Sequence, residues 1–479
     1  MAATIGRSDS LLADDLDPLS RSAVNNPRDA HITTTDMLVL AFISSLLSAS
    51  FLFFVVGAQQ IPLSSSNAAT TPRYQLGSSA FNATIEAFLT NNSIPGLSLA
   101  ITKSDRLVYA SSYGYADATL QIPVNTTHRF RQASVSKTVT AVTALYLVQQ
   151  GNLSLDDTVF GDNGVLGTKY GCEPYSTWTT NVTVRNLLEH SSGFLDADMS
   201  GGECDETYGC DPTYRPEWLG LDQWSLVDAI LSTYQPTHEP GTVANYSNFG
   251  YFVLGRVIEE VSGITPYASF VQDEILWPLL GIRGMEIASD ETKVNEVVYY
   301  AREGEDEDAP YGFHVARRDS VGAWIASPMH LVKMLTAIDG LARRNDILNA
   351  AMREMMFTRS NVEGSKYGLG WDEIVEDREG KTRRATKSGG YPGTNSWVVI
   401  DFENEVSYAV VVNREVPKAH GGGKALKELI DGIVAGVEEW PDHDLFNSTE
   451  LHAEGKAPRV ASASKDVVHL GVRLLQAPW

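Results

Sequence analysis

SVSKTVTAVTALYLVQQG, residues 134–151, decides how the rest of the chain is read. From Val139 through Val142, Leu145, Tyr146 and Val148 it is apolar on most sides, the pattern of a helix buried all round, and Gly151 is a helix stop. A lysine at the start of a buried helix needs a purpose. Ser134 stands three residues before Lys137, and residues three apart share a helix face, so the hydroxyl and the amine are neighbours. A serine hydroxyl is a poor nucleophile at neutral pH unless a base stands beside it. A lysine can be that base when burial or a nearby positive charge lowers its pKa. The same S-x-x-K spacing recurs at Ser462-Ala463-Ser464-Lys465, but no comparable helix follows it, and it reads as coincidence.

Two further motifs follow in order. Tyr246-Ser247-Asn248 places a phenol where two ammonium groups could lower its pKa and let it move protons. Taken alone, Tyr246 reads as a half-buried tyrosine in a turn. Lys387-Ser388-Gly389, followed by Gly390, suits a strand whose small residues let a substrate backbone lie close, with a lysine that can attract a carboxylate. Taken alone, Lys387 reads as an exposed edge lysine. Competing chemistries lack their residues. No G-x-S-x-G is present, the nearest being Gly96-Leu97-Ser98-Leu99-Ala100 in what reads as a strand. Without an H-E-x-x-H or a C-x-x-C, neither a metalloprotease nor a zinc ribbon has its ligands, and no metal or other cofactor is expected.

The order S-x-x-K, Y-x-N, K-[ST]-G resembles the serine β-lactamase and penicillin-binding-protein superfamily, above all the class C β-lactamase group with its esterase and D-peptidase relatives. Similar in character are Pro95–Asp117, Val184-Arg185-Asn186-Leu187-Leu188-Glu189-His190-Ser191-Ser192-Gly193, Trp324-Ile325-Ala326-Ser327-Pro328 and Tyr367-Gly368-Leu369-Gly370-Trp371. The resemblance spans residues 80–440. It implies an α/β (α+β) fold: one antiparallel sheet built from N- and C-terminal strands, flanked by helices, with a large, mainly helical insertion. It implies a serine hydrolase in which Ser134 becomes acylated, Lys137 and Tyr246 share the acid–base work, and Asn248 bonds the substrate amide or Lys137. Lys387 would support Tyr246 and meet a substrate carboxylate within the Ser388-Gly389 strand, and the N–H groups of Ser134 and Gly390 would form the oxyanion hole. His190 would be structural, near a turn. The substrate would be a small molecule or peptide: an ester, an amide or a peptide bond. The alternatives are a catalytically idle cell-surface binding module of the same fold and an acyltransferase.

The remaining composition sets the context. A formal net charge of -23 over 479 residues repels phosphate backbones, so nucleic-acid partners are not expected; protein partners are undefined. MLVLAFISSLLSASFLFFVVGA, residues 37–58, carries no charge and is long enough to cross a bilayer, with cleavage as a signal peptide the alternative. Arg21 and Arg28 precede it and the next basic residue is Arg73, which orients the N-terminus to the cytoplasm and the large domain outside. The expected organisation is a cytoplasmic tail over 1–36, the anchor over 37–58, a stalk over 59–79, the hydrolase domain over 80–440 and a loose tail over 441–479. N-x-S/T sequons at Asn82, Asn91, Asn125, Asn152, Asn181, Asn245 and Asn447 agree with a domain that passes a secretory lumen. Three cysteines, Cys172, Cys204 and Cys210, allow one disulfide and one thiol. Glu303-Gly304-Glu305-Asp306-Glu307-Asp308 reads as a solvated loop. Strands are expected over 96–101, 107–109, 396–400 and 406–412, helical patterning over 134–348, and a helix over 423–439.

Overall fold

The computed structural model describes residues 79–199, 211–215, 218 and 220–447. The apolar run 37–58, Cys204, Cys210 and the second S-x-x-K at 462–465 lie outside the described residues. Among the described residues ten strands occur: β1 Gly96–Lys103, β2 Arg106–Asp117, β3 Ile122–Pro123, β4 Phe130–Arg131, β5 Glu286–Ile287, β6 Trp324–Ala326, β7 Glu373–Glu376, β8 Thr382–Tyr391, β9 Thr394–Asp401 and β10 Val406–Val412. The helices used below are α1 Ser79–Asn91, α2 Ser136–Gln149, α3 Val184–Leu188, α4 Gln223–Thr233, α5 Asn248–Ser262 and α6 Gly423–Ala435.

Seven strands form one sheet in the order β3-β2-β1-β10-β9-β8-β7, antiparallel at every junction. The two ends of the domain meet at its centre, where β1 pairs with β10 from Leu97 opposite Val412 to Lys103 opposite Val406. Successive strand side chains point to opposite faces. Leu97, Leu99 and Ile101 therefore pack with α1 and α6, through Ile85, Leu89, Leu426 and Ile430, while Ala100 joins the larger core on the other face. That core holds α2, α4 and α5. The all-round apolar reading of α2 holds: Val139, Ala141, Val142, Ala144 and Leu145 are all buried, and Gly151 closes the helix with φ 75.

Three expectations change in detail. The stretch 134–348 is less helical than its pattern suggests. It contains β5 and β6, which with β4 make a second sheet of order β4-β6-β5. Runs of two or three residues are too short to show a period of two. The final helix stops at Ala435 and is followed by Gly436, short of the expected 439. The chain also stays packed beyond Trp440: Leu445 and Phe446 are buried, and Asp444 Oδ1 accepts the Leu107 N–H at 3.1 Å. Cys172 is a free, exposed thiol. Of the acidic run, Glu303, Asp306, Glu307 and Asp308 are exposed, as a solvated loop requires.

Candidate active site

Ser134 sits in a tight 3-10 turn, Ala133–Val135, that runs directly into α2. Ala133 has φ 44, a left-handed conformation that costs a residue with a Cβ on the order of 1 kcal/mol and must be held by its surroundings. Gln132 does the holding. Its backbone N–H donates to Trp324 O at 2.9 Å, its amide donates to Phe130 O and Ala326 O at 2.9 and 2.8 Å, and its carbonyl accepts the Ser396 hydroxyl at 2.7 Å. The turn is thereby fixed to β6 on one side and β9 on the other.

Lys137 lies in the first turn of α2 and is fully buried. Its Nζ is 3.1 Å from Ser134 Oγ, 2.7 Å from Asn248 Oδ1 and 3.1 Å from Val321 O. Burial pushes the amine well below the ordinary lysine range, and the positive charges of Lys387 and Arg318 push it the same way. An ammonium would donate to all three oxygens. A neutral amine keeps two donors, which match Asn248 and Val321, and turns its lone pair to the Ser134 hydroxyl.

Tyr246 donates its hydroxyl to Ser134 Oγ at 2.7 Å, so the nucleophile touches both the amine and the phenol. The expected lowering of the Tyr246 pKa by two ammonium groups is outweighed. Both are present, with Lys137 Nζ 4.9 Å and Lys387 Nζ 5.0 Å from the ring centroid. Burial nevertheless pushes the phenol well above its ordinary range, and the Asp372 carboxylate adds to this. The two directions are opposite: the Tyr246 proton is held more tightly and the Lys137 proton more weakly than usual.

Asn248 opens α5, and nothing local in the chain marks the group that fixes it there. Asp196 is buried and accepts the Asn248 and Phe249 N–H groups, at 2.8 and 3.4 Å, and the Ser247 hydroxyl at 3.1 Å. These are helix N-terminal donors that would otherwise lack partners. His190 supports the same segment. Its Nδ1 accepts the Ser247 N–H at 3.2 Å and its ring stacks 4.5 Å from that of Tyr246. Burial and the charges of Lys387 and Lys137 hold it well below the usual histidine range, so it is neutral and does not contact Ser134 as a base.

The third motif lies in β8. Gly389 is required by contact: a Cβ there would stand 2.3 Å from both Gln132 O and Ser396 Oγ. β7 pairs with β8 only from Glu373 opposite Thr386 onward, so Ser388 and Gly390, paired with β9 on one edge, have no strand partner on the other. The Ser388 N–H points out from that edge, to Asp372 Oδ2 at 2.8 Å. Backbone directions repeat every two residues, so the Gly390 N–H faces the same way. The reading of Lys387, taken alone, as an exposed edge lysine does not hold. Its side chain is 0% exposed and its Nζ lies 2.5 Å from Asp372 Oδ1. Asp372 follows the Tyr367–Trp371 segment, and nothing local marks it as part of the site. Among the described residues no group of three or more His, Cys, Asp or Glu side chains could hold a metal ion.

Comparison with known proteins places the fold in a family. The Beta-lactamase family model matches residues 81–431. Penicillin-binding protein 4* of Bacillus subtilis is 25% identical over 364 residues, 70% of this chain and 72% of that protein. Among solved structures, a class C beta lactamase from Rhodobacter sphaeroides superposes with a TM-score of 0.57 at 21% identity, covering 74% of this chain and 100% of that one. The D-amino acid amidase from Ochrobactrum anthropi SV3 gives a TM-score of 0.54 at 23% identity, covering 74% of this chain and 98% of that one. At those identities the structural likeness is one of fold. With three quarters of its length inside one family model, and a mixed α/β fold matching those structures, the chain belongs to the beta-lactamase family, whose members include hydrolases.

Proposed function

We propose that this protein is a serine hydrolase that acts through an acyl-enzyme on an ester, amide or peptide bond. The observation that carries the reading is the contact of one hydroxyl, Ser134 Oγ, with a buried amine at 3.1 Å and a phenol at 2.7 Å. In the first step the Ser134 proton passes to neutral Lys137 as Oγ bonds to the substrate carbonyl carbon. The developing oxyanion lies against the N–H groups of Ser134 and Gly390, and such a donor is worth about two to three orders of magnitude in rate. Tyr246 gives its proton to the leaving atom as that bond breaks, and the proton held by Lys137 replaces it. Water then attacks the acyl-enzyme, gives up a proton to Lys137 and releases the acid, while Ser134 recovers its hydrogen. The complete amine–serine–phenol contact favours an enzyme over an idle binding module.

Labelling with a fluorescent fluorophosphonate and a fluorescent penicillin tests this. The wild type should label and Ser134→Ala should not. A folded wild type that takes neither probe would remove the hydrolase reading. Added alcohols or amines, with product analysis, separate hydrolysis from acyl transfer. We also propose that residues 37–58 anchor the chain in a membrane, because the run is uncharged and long enough to span one. Alkaline carbonate extraction of the full chain should leave it in the membrane fraction; release into the supernatant would reject an uncleaved anchor.

A further inference from the structure

Lys387 and Ser388 are the groups in this site best suited to hold an anion, and a carboxylate of the chain already holds them. Asp372 Oδ1 lies 2.5 Å from Lys387 Nζ, and Oδ2 accepts both the Ser388 hydroxyl at 2.6 Å and the Ser388 N–H at 2.8 Å. Both Asp372 carboxylate oxygens are thus engaged by the one dipeptide, in the two-pronged manner of a bound ligand carboxylate. Burial would raise its pKa, but the Lys387 charge and these hydrogen bonds outweigh that and keep it below the ordinary aspartate range. The exposure of the pair is one-sided: the Asp372 side chain is 21% exposed and the Lys387 side chain 0%. A ligand reaching the free edge of β8 therefore meets the carboxylate and not the ammonium.

Neither Lys137 nor Arg318, the other cations whose charges bear on the site, is available to compensate. Lys137 is buried with its three hydrogen-bonding positions filled. Arg318 is buried between Asp211, at 2.6 Å, and the Tyr391 hydroxyl, at 2.6 Å. A substrate carboxylate placed beside the scissile carbonyl would have to displace Asp372 or face it, and opposed like charges are costly.

We propose that Asp372 is a specificity-determining residue that fills the anion seat of Lys387 and Ser388, so that the substrate is a neutral ester or amide carrying no carboxylate near the scissile bond. This rests on the hydrolase reading above and narrows it. Asp372 acts by occupying Lys387 and Ser388 and by presenting its own charge to an approaching carboxylate. The decisive quantity is the ratio of kcat/KM for 4-nitrophenyl hexanoate and for mono-4-nitrophenyl adipate, which differ by one carboxylate. Wild-type full-length protein should prefer the neutral ester by about tenfold or more. Asp372→Asn, which keeps size and leaves Lys387 uncompensated, should shift the ratio toward the anionic ester by about tenfold, chiefly through KM. Asp372→Asn combined with Lys387→Gln should lose that gain, which a loosened fold alone would not reproduce.

Should Asp372→Asn fail to fold, the wild type still decides. Phenylboronic acid should inhibit more strongly than 3-carboxyphenylboronic acid. Fluorophosphonate labelling of Ser134 in the same samples keeps the two readings apart. A protein that labels at Ser134 but prefers the adipate ester or the carboxylated boronate, or whose ratio does not move in Asp372→Asn, overturns the assignment and leaves the hydrolase reading standing. A protein that neither labels nor turns over either ester ends the hydrolase reading and this inference with it.

Discussion

Lys137 is where burial becomes chemistry. An ammonium taken from water loses its hydration, and the charges of Lys387 and Arg318 add to the cost, so its proton is held weakly. The Asn248 and Val321 oxygens leave the lone pair no partner but Ser134. The sign for activity follows directly. The reactive form is the neutral amine, so the fluorophosphonate labelling rate should rise with pH as Lys137 loses its proton, at a pH well below the ordinary lysine value. Lys137→Met, which keeps the stem and removes the base, should lower that rate by about two to four orders of magnitude and abolish the rising limb. A pH–rate profile of both proteins reads this. A full-rate Lys137→Met protein would remove the lysine from the mechanism. Burial and Asp372 push the Tyr246 phenol the other way, well above its ordinary range, which supports Lys137 as the proposed base.

At the scale of elements, α5 matters because its first residue is Asn248. Helix N-terminal N–H groups favour an anion, and Asp196 supplies a carboxyl at that place. Burial and the neighbouring Asp211 nevertheless push its pKa up to about 7. The folded state thus binds this proton more tightly than the unfolded chain, whose aspartates titrate near the ordinary value of 3.8. Where the folded state holds more protons, stability falls as pH rises. The contribution of Asp196 is therefore fully present below about pH 4 and is lost as pH rises through about 7. Urea unfolding of Asp196→Asn between those limits should show a flatter dependence on pH than the wild type. An unchanged slope would mean that Asp196 is not the titrating group. Legibility varied with element length. β9 and β10 were marked by Ser396–Ile400 and Val406–Val412, long runs of β-branched and aromatic residues. β5 and β6, at two and three residues, carried no such signal.

On the scale of the whole molecule, the site exists only because the two ends of the domain share a sheet. β10 lies between β1 and β9, so it connects the N-terminal hairpin to β8 and its Lys387-Ser388-Gly389. Every residue of β10 is buried, as a strand covered on both faces requires. A chain ending at residue 404 would lose β10 and α6 and expose two unpaired strand edges. It should show no cooperative unfolding transition and no labelling at Ser134, although Ser134, Lys137, Tyr246 and Lys387 are all still present. Circular dichroism melts with labelling check this; a cooperative, labelling-competent truncation would contradict the role given to β10.

The amino-acid string alone settles the three motifs and the buried helix behind the first of them, because hydrophobic periodicity and spacing are local properties that survive in a one-dimensional record, and the fold class follows from the family those motifs resemble. It cannot settle what surrounds a charge. Whether Lys387 is an exposed edge lysine or a buried one depends on Asp372, which lies 15 residues earlier and meets it only when β7 and β8 lie side by side. The direction of the Tyr246 shift likewise depends on burial and on that same carboxylate, and the strained turn at Ala133 depends on contacts from β6 and β9. Desolvation and electrostatic pairing are set by distance in space, and only the folded chain defines those distances.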